Sequence, residues 1–332
     1  MLVSCKTNKL YINVLQPAPV TLPQSVKKIG IINRSIPTDE TKPADAIEKV
    51  LTLEGADLDR DGALESIKGL REELIRNQRF TEVKIIDDTE FKASRIGLLP
   101  PPLEWNIVEM LCSESGCQVL FALERFDTDT KLSFSPGSAE RLLKTGNIPA
   151  LLTSVAMEII IKTGWRIYDP ADRRIIEEFS FAESLVYHGR GINPVAAAEG
   201  LLNRKEAVKE VSAISGQKYA LRILPYRLNV TRDYYVKGTE NFKIAKRKAQ
   251  MGKWDEAGLL WEKETNNPRS KVAGRAVYNM AIINEINGRI DDALGWAQKA
   301  WEDYKVRPAL RYAGILERRI LNNEILRLQE EN

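Results

Sequence analysis

The last third of the chain repeats itself. At an offset of 36 residues, Ala245 matches Ala281, Gly252 matches Gly288, Asp255 matches Asp291, Ala257 matches Ala293 and Lys263 matches Lys299. A fixed period of this size marks stacked supersecondary units, none of which can bury its apolar face alone. Gly252-Lys253-Trp254-Asp255-Glu256-Ala257 and Gly288-Arg289-Ile290-Asp291-Asp292-Ala293 show what the unit must be. Glycine closes one helix with a tight turn, and the alanine lets the following helix approach closely. Pro308–Leu328 reads as a further helical unit that caps the array. Two repeats rarely stand alone, so the array is expected to pack against the domain before it.

These segments resemble the tetratricopeptide turn. The usual period is about 34 residues, and the extra length falls near Asn266-Asn267-Pro268. The resemblance implies an all-α repeat domain over residues 237–332, about two repeats plus a capping helix. Gly252, Ala257, Gly288 and Ala293 would be its structural turn residues. Trp254, Trp261, Trp296 and Trp301 recur at helical spacing and read as repeat core, with one or two left to line a peptide-binding face.

Residues 26–236 read as an α/β domain, a sheet with helices. Ile29–Ile32 and Thr81–Ile86 are short apolar strands. Between them Leu64, Ile67, Leu70 and Leu74 form one stripe of a helix from Gly62 to Asn77, with Asp61 as its N-cap. A second helix follows Pro100-Pro101-Pro102 and ends near Gly116, leading into a strand over Cys117–Leu123. A helical patch is expected near Ser138–Leu143. Val155, Met157, Ile159 and Ile161 alternate with Glu158 and Lys162; the chain then turns at Tyr168–Asp172 and returns through Ile175, Phe179 and Phe181, as a hairpin does. A long helix over about Pro194–Ile214 and a strand near Tyr226–Tyr235 complete the domain.

The segments Gln78-Arg79-Phe80-Thr81-Glu82-Val83 and Gly116-Cys117-Gln118-Val119-Leu120, with the hairpin at Tyr168-Asp169-Pro170, resemble the periplasmic α/β domain of the curli-secretion lipoprotein family. That domain is similar to the N-terminal domain of the Tol–Pal translocation protein and to penicillin-binding-protein activator lipoproteins. Gln118 stands where that family carries Asp. The long amphipathic hairpins of a secretion pore are not legible, so the resemblance implies a fold and not a channel.

The first residues set an expectation about compartment. Leu2-Val3-Ser4-Cys5 resembles a lipobox, with Cys5 as the lipid-attachment residue. Residues 1–25 then read as a lipobox remnant and a tether, with a Pro-rich spacer at Gln16-Pro17-Ala18-Pro19, although Leu10–Val14 alternates as an edge strand would. No basic and apolar signal regions precede Leu2 in this sequence. The pairing of domains resembles a bacterial lipoprotein family that carries no established activity.

Other chemistries find little support. Lys+Arg of 49 against Asp+Glu of 46 leaves a net charge of +3 without a basic stripe, which argues against nucleic acid. His188 is the single histidine, so triads and His-rich metal sites lack their imidazoles; it reads as a loop or strand-end residue. Cys112 and Cys117 leave open a disulfide or two buried thiols, and thiols are the expectation. Asp57-Leu58-Asp59-Arg60-Asp61-Gly62 matches the first half of a calcium loop, but Lys68 occupies the position that needs a bidentate Glu. Glu177 and Glu178 must point to opposite faces of a strand.

The expectation is therefore a non-enzymatic lipoprotein, lipid-anchored on the periplasmic side of the outer membrane, without cofactor or metal. Its repeats would scaffold or bind another envelope protein. The alternatives are a cytosolic repeat adaptor, or a calcium-binding or enzymatic protein using the 36–62 loop.

Overall fold

The computed structural model describes residues 7–35, 55–87, 99–136, 153–191 and 204–331. Cys5 and the helical patch expected near Ser138–Leu143 lie outside them. The chain forms two units. One joins residues 1–18 to 225–332; the other holds residues 19–224. This division differs from the expected boundaries because residues 7–16 form strand β1 (Thr7–Gln16) and do not serve only as a tether.

The α/β unit contains β2 (Lys28–Asn33), α1 (Gly55–Arg76), β3 (Glu82–Ile86), α2 (Trp105–Ser115), β4 (Val119–Pro136), β5 (Thr153–Asp169), β6 (Arg174–Gly191) and α3 (Arg204–Ala220). Its sheet order is β3-β2-β4-β5-β6. β2 pairs in parallel with both β3 and β4, and β4, β5 and β6 run antiparallel. The period of two explains the layers. Val119, Phe121 and Leu123 join the core under α1 and α3, while Leu120 and Ala122 join the core under α2. Gln118, the departure noted above, has a use here. Its side-chain carbonyl accepts from the Lys27 and Lys28 amides at 2.7 and 3.1 Å, and its amide donates to the Ser25 carbonyl at 3.1 Å.

The three antiparallel strands are far longer than the sequence indicated. β4 continues through Arg125-Phe126-Asp127-Thr128, and β6 reaches His188, which is exposed opposite Ala156. Glu177 is buried and held by Arg222, at 2.7 Å from its Nε, whereas Glu178 is exposed and takes Arg166 Nε at 2.6 Å. They do lie on opposite faces.

Helices α1 and α3 meet backbone to backbone. A Cβ placed on Gly69 would lie 2.2 Å from the Ala213 carbonyl oxygen, and one on Gly216 would lie 1.8 Å from that of Ser66. Ser66, Ser212 and Ser215 are buried along the same seam. The expected N-cap is corrected by this packing. α1 begins at Gly55, so Asp61 lies inside it and bonds Lys205 of α3 at 2.8 Å. Asp59 is buried and accepts from Thr128 Oγ1 at 2.5 Å. Tertiary partners outweigh the poor helix propensity of Asp and Gly, and the segment read as a polar, calcium-like loop is helix.

The second unit pairs β1 antiparallel with β7 (Tyr226–Tyr235), from Thr7↔Tyr235 to Gln16↔Tyr226. Helices α4 (Glu240–Gln250), α5 (Trp254–Glu262), α6 (Ser270–Ile286), α7 (Ile290–Glu302) and α8 (Arg307–Glu331) follow. Leu10 and Tyr234 of the ribbon share a core with Phe242, Trp261, Val277 and Leu316. The packing partner the array needed is thus in part this ribbon. Its far end is tied by Gln329, which bonds the Ala18 amide at 3.1 Å and the Ala18 carbonyl at 2.8 Å.

We expect Gly216→Ala to lower the urea midpoint by the equivalent of about 1–3 kcal/mol or more, because the helices must move apart. Gly295→Ala, in α7 with open space around the new methyl, should stabilise by about 0.5–1 kcal/mol. Equal effects of the two would refute the close-contact account.

Candidate functional site

The two helical hairpins close in the same way. Gly252 and Gly288 both have φ of +76°, where glycine alone is unstrained. The Lys253 amide bonds the Lys248 carbonyl at 2.9 Å, and the Arg289 amide bonds the Asn284 carbonyl at 2.9 Å. Those bonds are the six-to-one bonds of a Schellman end. Ala257 and Ala293, one turn into the second helix of each hairpin, are fully buried. Gly252 and Gly288 thus lie at helix ends, and Ala257 and Ala293 at buried positions of the helices that follow. The loop after α5 is organised by Glu264, which accepts from Thr239, Asn241 and Asn267, each at 2.7 Å. Burial raises its pKa, but these bonds outweigh it and leave a net lowering.

Beside the first hairpin lies a cleft of about 680 Å3. Its walls include Lys9 and Tyr11 of β1, Asp233 and Tyr234 of β7, Gln250 and Trp254. Tyr234 meets Trp254 edge-on at 5.3 Å, and Tyr11 is 70% exposed. An apolar aromatic wall flanked by one cation and one anion suits a peptide better than a small polar substrate. Of the four tryptophans at helical spacing, Trp261 is core, Trp296 packs half-buried against that core, Trp254 lines this cleft and Trp301 is exposed.

The ribbon is held by a buried carboxylate that sequence reading missed. Glu285 of α6 takes Arg232 Nε and Nη2, both at 2.8 Å, Tyr312 Oη at 2.6 Å and Arg319 Nη1 at 2.6 Å. Burial pushes its pKa up, but the hydrogen bonds and charges of these partners bring it below the ordinary glutamate value. A single charged residue in an apolar helical run was the signal available. Asn279 adds a strand-like pair of bonds to the Tyr235 backbone, both at 2.7 Å.

The α/β unit contains a similar cluster on β4 and β5. Glu124 is buried; it accepts from Tyr168 Oη at 2.7 Å and pairs with Arg34, while Arg166 lies at 3.5 Å. Burial, then the Glu124 charge, pushes the Tyr168 pKa up to about 12. Arg34 follows β2, the strand between β3 and β4, at the point where consecutive connections diverge; in open α/β sheets such points commonly hold ligands. Here the polar groups satisfy one another. Among the described residues no cluster of His, Cys, Asp and Glu is arranged to hold a metal.

The model of a family described as a domain of unknown function, DUF8603, matches residues 26–235. A second, DUF6340, also described as a domain of unknown function, matches residues 243–318. No curated protein matches. Among solved structures, a candidate lipoprotein from Caulobacter crescentus CB15 is 10% identical, covering 60% of this chain and 86% of its own, with a TM-score of 0.22. PelC from Paraburkholderia phytofirmans, a dodecamer, is 10% identical over 65% of this chain and 99% of its own, with a TM-score of 0.24. A candidate neuraminyllactose-binding hemagglutinin homologue from Helicobacter pylori is 8% identical over 58% of this chain and 81% of its own, at 0.22.

Glu285→Gln should cost about 3–5 kcal/mol near neutral pH, since it leaves two arginines facing a neutral group. The folded pKa is depressed, so the wild-type advantage is present above the unfolded value of about 4.3 and lost as pH falls through the folded one. Urea midpoints of both forms across pH 3–7 should converge at the acid end; a constant gap would refute the ion-pair origin.

Proposed function

The chain belongs to the DUF8603 family, and on that premise we propose that it is a non-enzymatic cell-envelope lipoprotein whose helical unit binds an extended segment of another envelope protein. Cys5 carries the lipid and holds the folded body on the periplasmic side of the outer membrane. The hairpins act as tetratricopeptide-like repeats, and the α/β unit takes the curli-lipoprotein-like fold.

One observation carries the binding reading: the cleft between β1 and the first hairpin. Tyr234 and Trp254 give rigid contact area at little entropic cost, and Tyr11 stands at the rim on the outer face of β1. β1 is a strand of a two-stranded sheet, so an extended segment can meet backbone as well as side chains. The lipid reading rests on Leu2-Val3-Ser4-Cys5. Among the described residues no helix is long and apolar enough to cross a membrane.

A photo-reactive phenylalanine analogue in place of Tyr11 should capture a discrete envelope protein in cells. Trp254→Ala should reduce that capture several-fold while leaving the circular dichroism unchanged. Capture that is absent, or indifferent to Trp254, would overturn the assignment of this cleft.

A further inference from the structure

The cysteines of the α/β unit occupy two defined positions of one helix end. Gly116, with φ of +72°, terminates α2, and the Cys117 amide bonds the Cys112 carbonyl at 3.0 Å. The two residues are the C3 and C″ positions of a Schellman end, where an apolar contact is common. Here the contact is between sulfurs, 3.0 Å apart, and both are free thiols. A disulfide needs about 2.05 Å, so closure requires an approach of about 1 Å by side-chain rotation.

Two further features distinguish this pair from inert core thiols. Cys112 is buried, but Cys117 is half-buried, and both line a cleft of about 530 Å3 that also includes Glu109, Ser113, Gln118 and Asp172. The Cys117 sulfur is seated against a glycine: a Cβ on Gly30 of β2 would lie 2.8 Å from it. The hydrogen bond with Cys112 holds the Cys117 thiol below its usual pKa against burial, with help from Ser115 and the Gly30 backbone. The same bond, then burial, pushes Cys112 up. One sulfur is thus prepared to attack and the other to resolve.

We propose that Cys112 and Cys117 form a thiol–disulfide exchange site that accepts a low-molecular-weight disulfide in the Glu109–Asp172 cleft and closes into a reversible disulfide. The Cys117 thiolate attacks one sulfur of the disulfide RSSR, whose S–S bond breaks and releases one thiolate. The Cys112 thiol gives its proton to solvent and attacks the Cys117 sulfur, breaking the mixed disulfide and releasing the second thiolate. Two protein thiols are oxidised, and RSSR is reduced to two RSH. Closure staples the end of α2 to the start of β4. This site is independent of the cleft beside the helical hairpins.

The test uses the full chain carrying Cys5→Ala, incubated with oxidised glutathione, acid-quenched, alkylated and mapped by mass spectrometry. The expected product has lost both alkylatable thiols together. Its 112–117 peptide is two hydrogens lighter, and dithiothreitol restores the thiols. Cys112→Ser should stop at a stable glutathione adduct on Cys117. Cys117→Ser should leave Cys112 unmodified in the folded chain, so the assignment stays testable if one variant fails to fold. Thiols that remain alkylatable in wild type, or adducts that accumulate there without closure, would overturn the proposal and leave the pair as packing.

Discussion

The contact on which the α/β unit depends is that between α1 and α3 at Gly69 and Gly216. The helix backbones touch there, and no side chain larger than hydrogen fits at either position. Close approach brings Leu58, Ile67, Leu70 and Leu74 of one helix and Val208, Val211 and Tyr219 of the other onto the same sheet face. Tyr219 then stacks on Trp165 with ring centres 4.8 Å apart. A wider crossing would lift one helix and open that core. The same seam explains why the Asp-rich start of α1 is helical, since Lys205 and Thr128 hold Asp61 and Asp59 only when α1 lies against α3 and β4.

Each unit also encloses a carboxylate met by two arginines and a tyrosine. Glu124 is surrounded by Arg34, Arg166 and Tyr168, and Glu285 by Arg232, Arg319 and Tyr312. Buried ion pairs add little net stability against an apolar replacement, and breaking one is costly. Their value lies in fixing an arrangement. Glu285 ties β7, α6 and α8 together, and β1 enters that unit by pairing with β7.

Local signals in the sequence reached part of this. The strands at 29–32 and 119–123 were legible because they are buried on both faces and read as apolar runs; the edge strand at 82–86, where Lys84 and Ile85 are exposed, was legible from its β-branched residues. The hairpin turns were legible because a positive φ leaves glycine as the low-cost choice. The β1–β7 ribbon was not, because its strands lie at opposite ends of the α/β segment and neither is apolar throughout. The long arms of β4 and β6 escaped because their outward positions are polar or charged, which resembles loop composition. Gly62, Ser66 and Gly69 with Ser212, Ser215 and Gly216 did carry a readable signal, small residues at helical spacing on two helices. The cleft at Tyr11, Tyr234 and Trp254 exists only once the ribbon has formed, and no local pattern announces it.

In the function we propose, an acylated Cys5 tethers a folded body whose aromatic cleft takes a partner segment. Tethering matters to that binding, because holding the body at a membrane raises the effective concentration of any partner there. The measurement that tests this account most directly is metabolic labelling with a palmitate analogue, the gene being expressed with its natural upstream region. Label on the wild type, lost in Cys5→Ala, with the protein in the outer-membrane fraction, is the predicted result. Absence of label from both forms would contradict the account and send the search for partners to the cytosol.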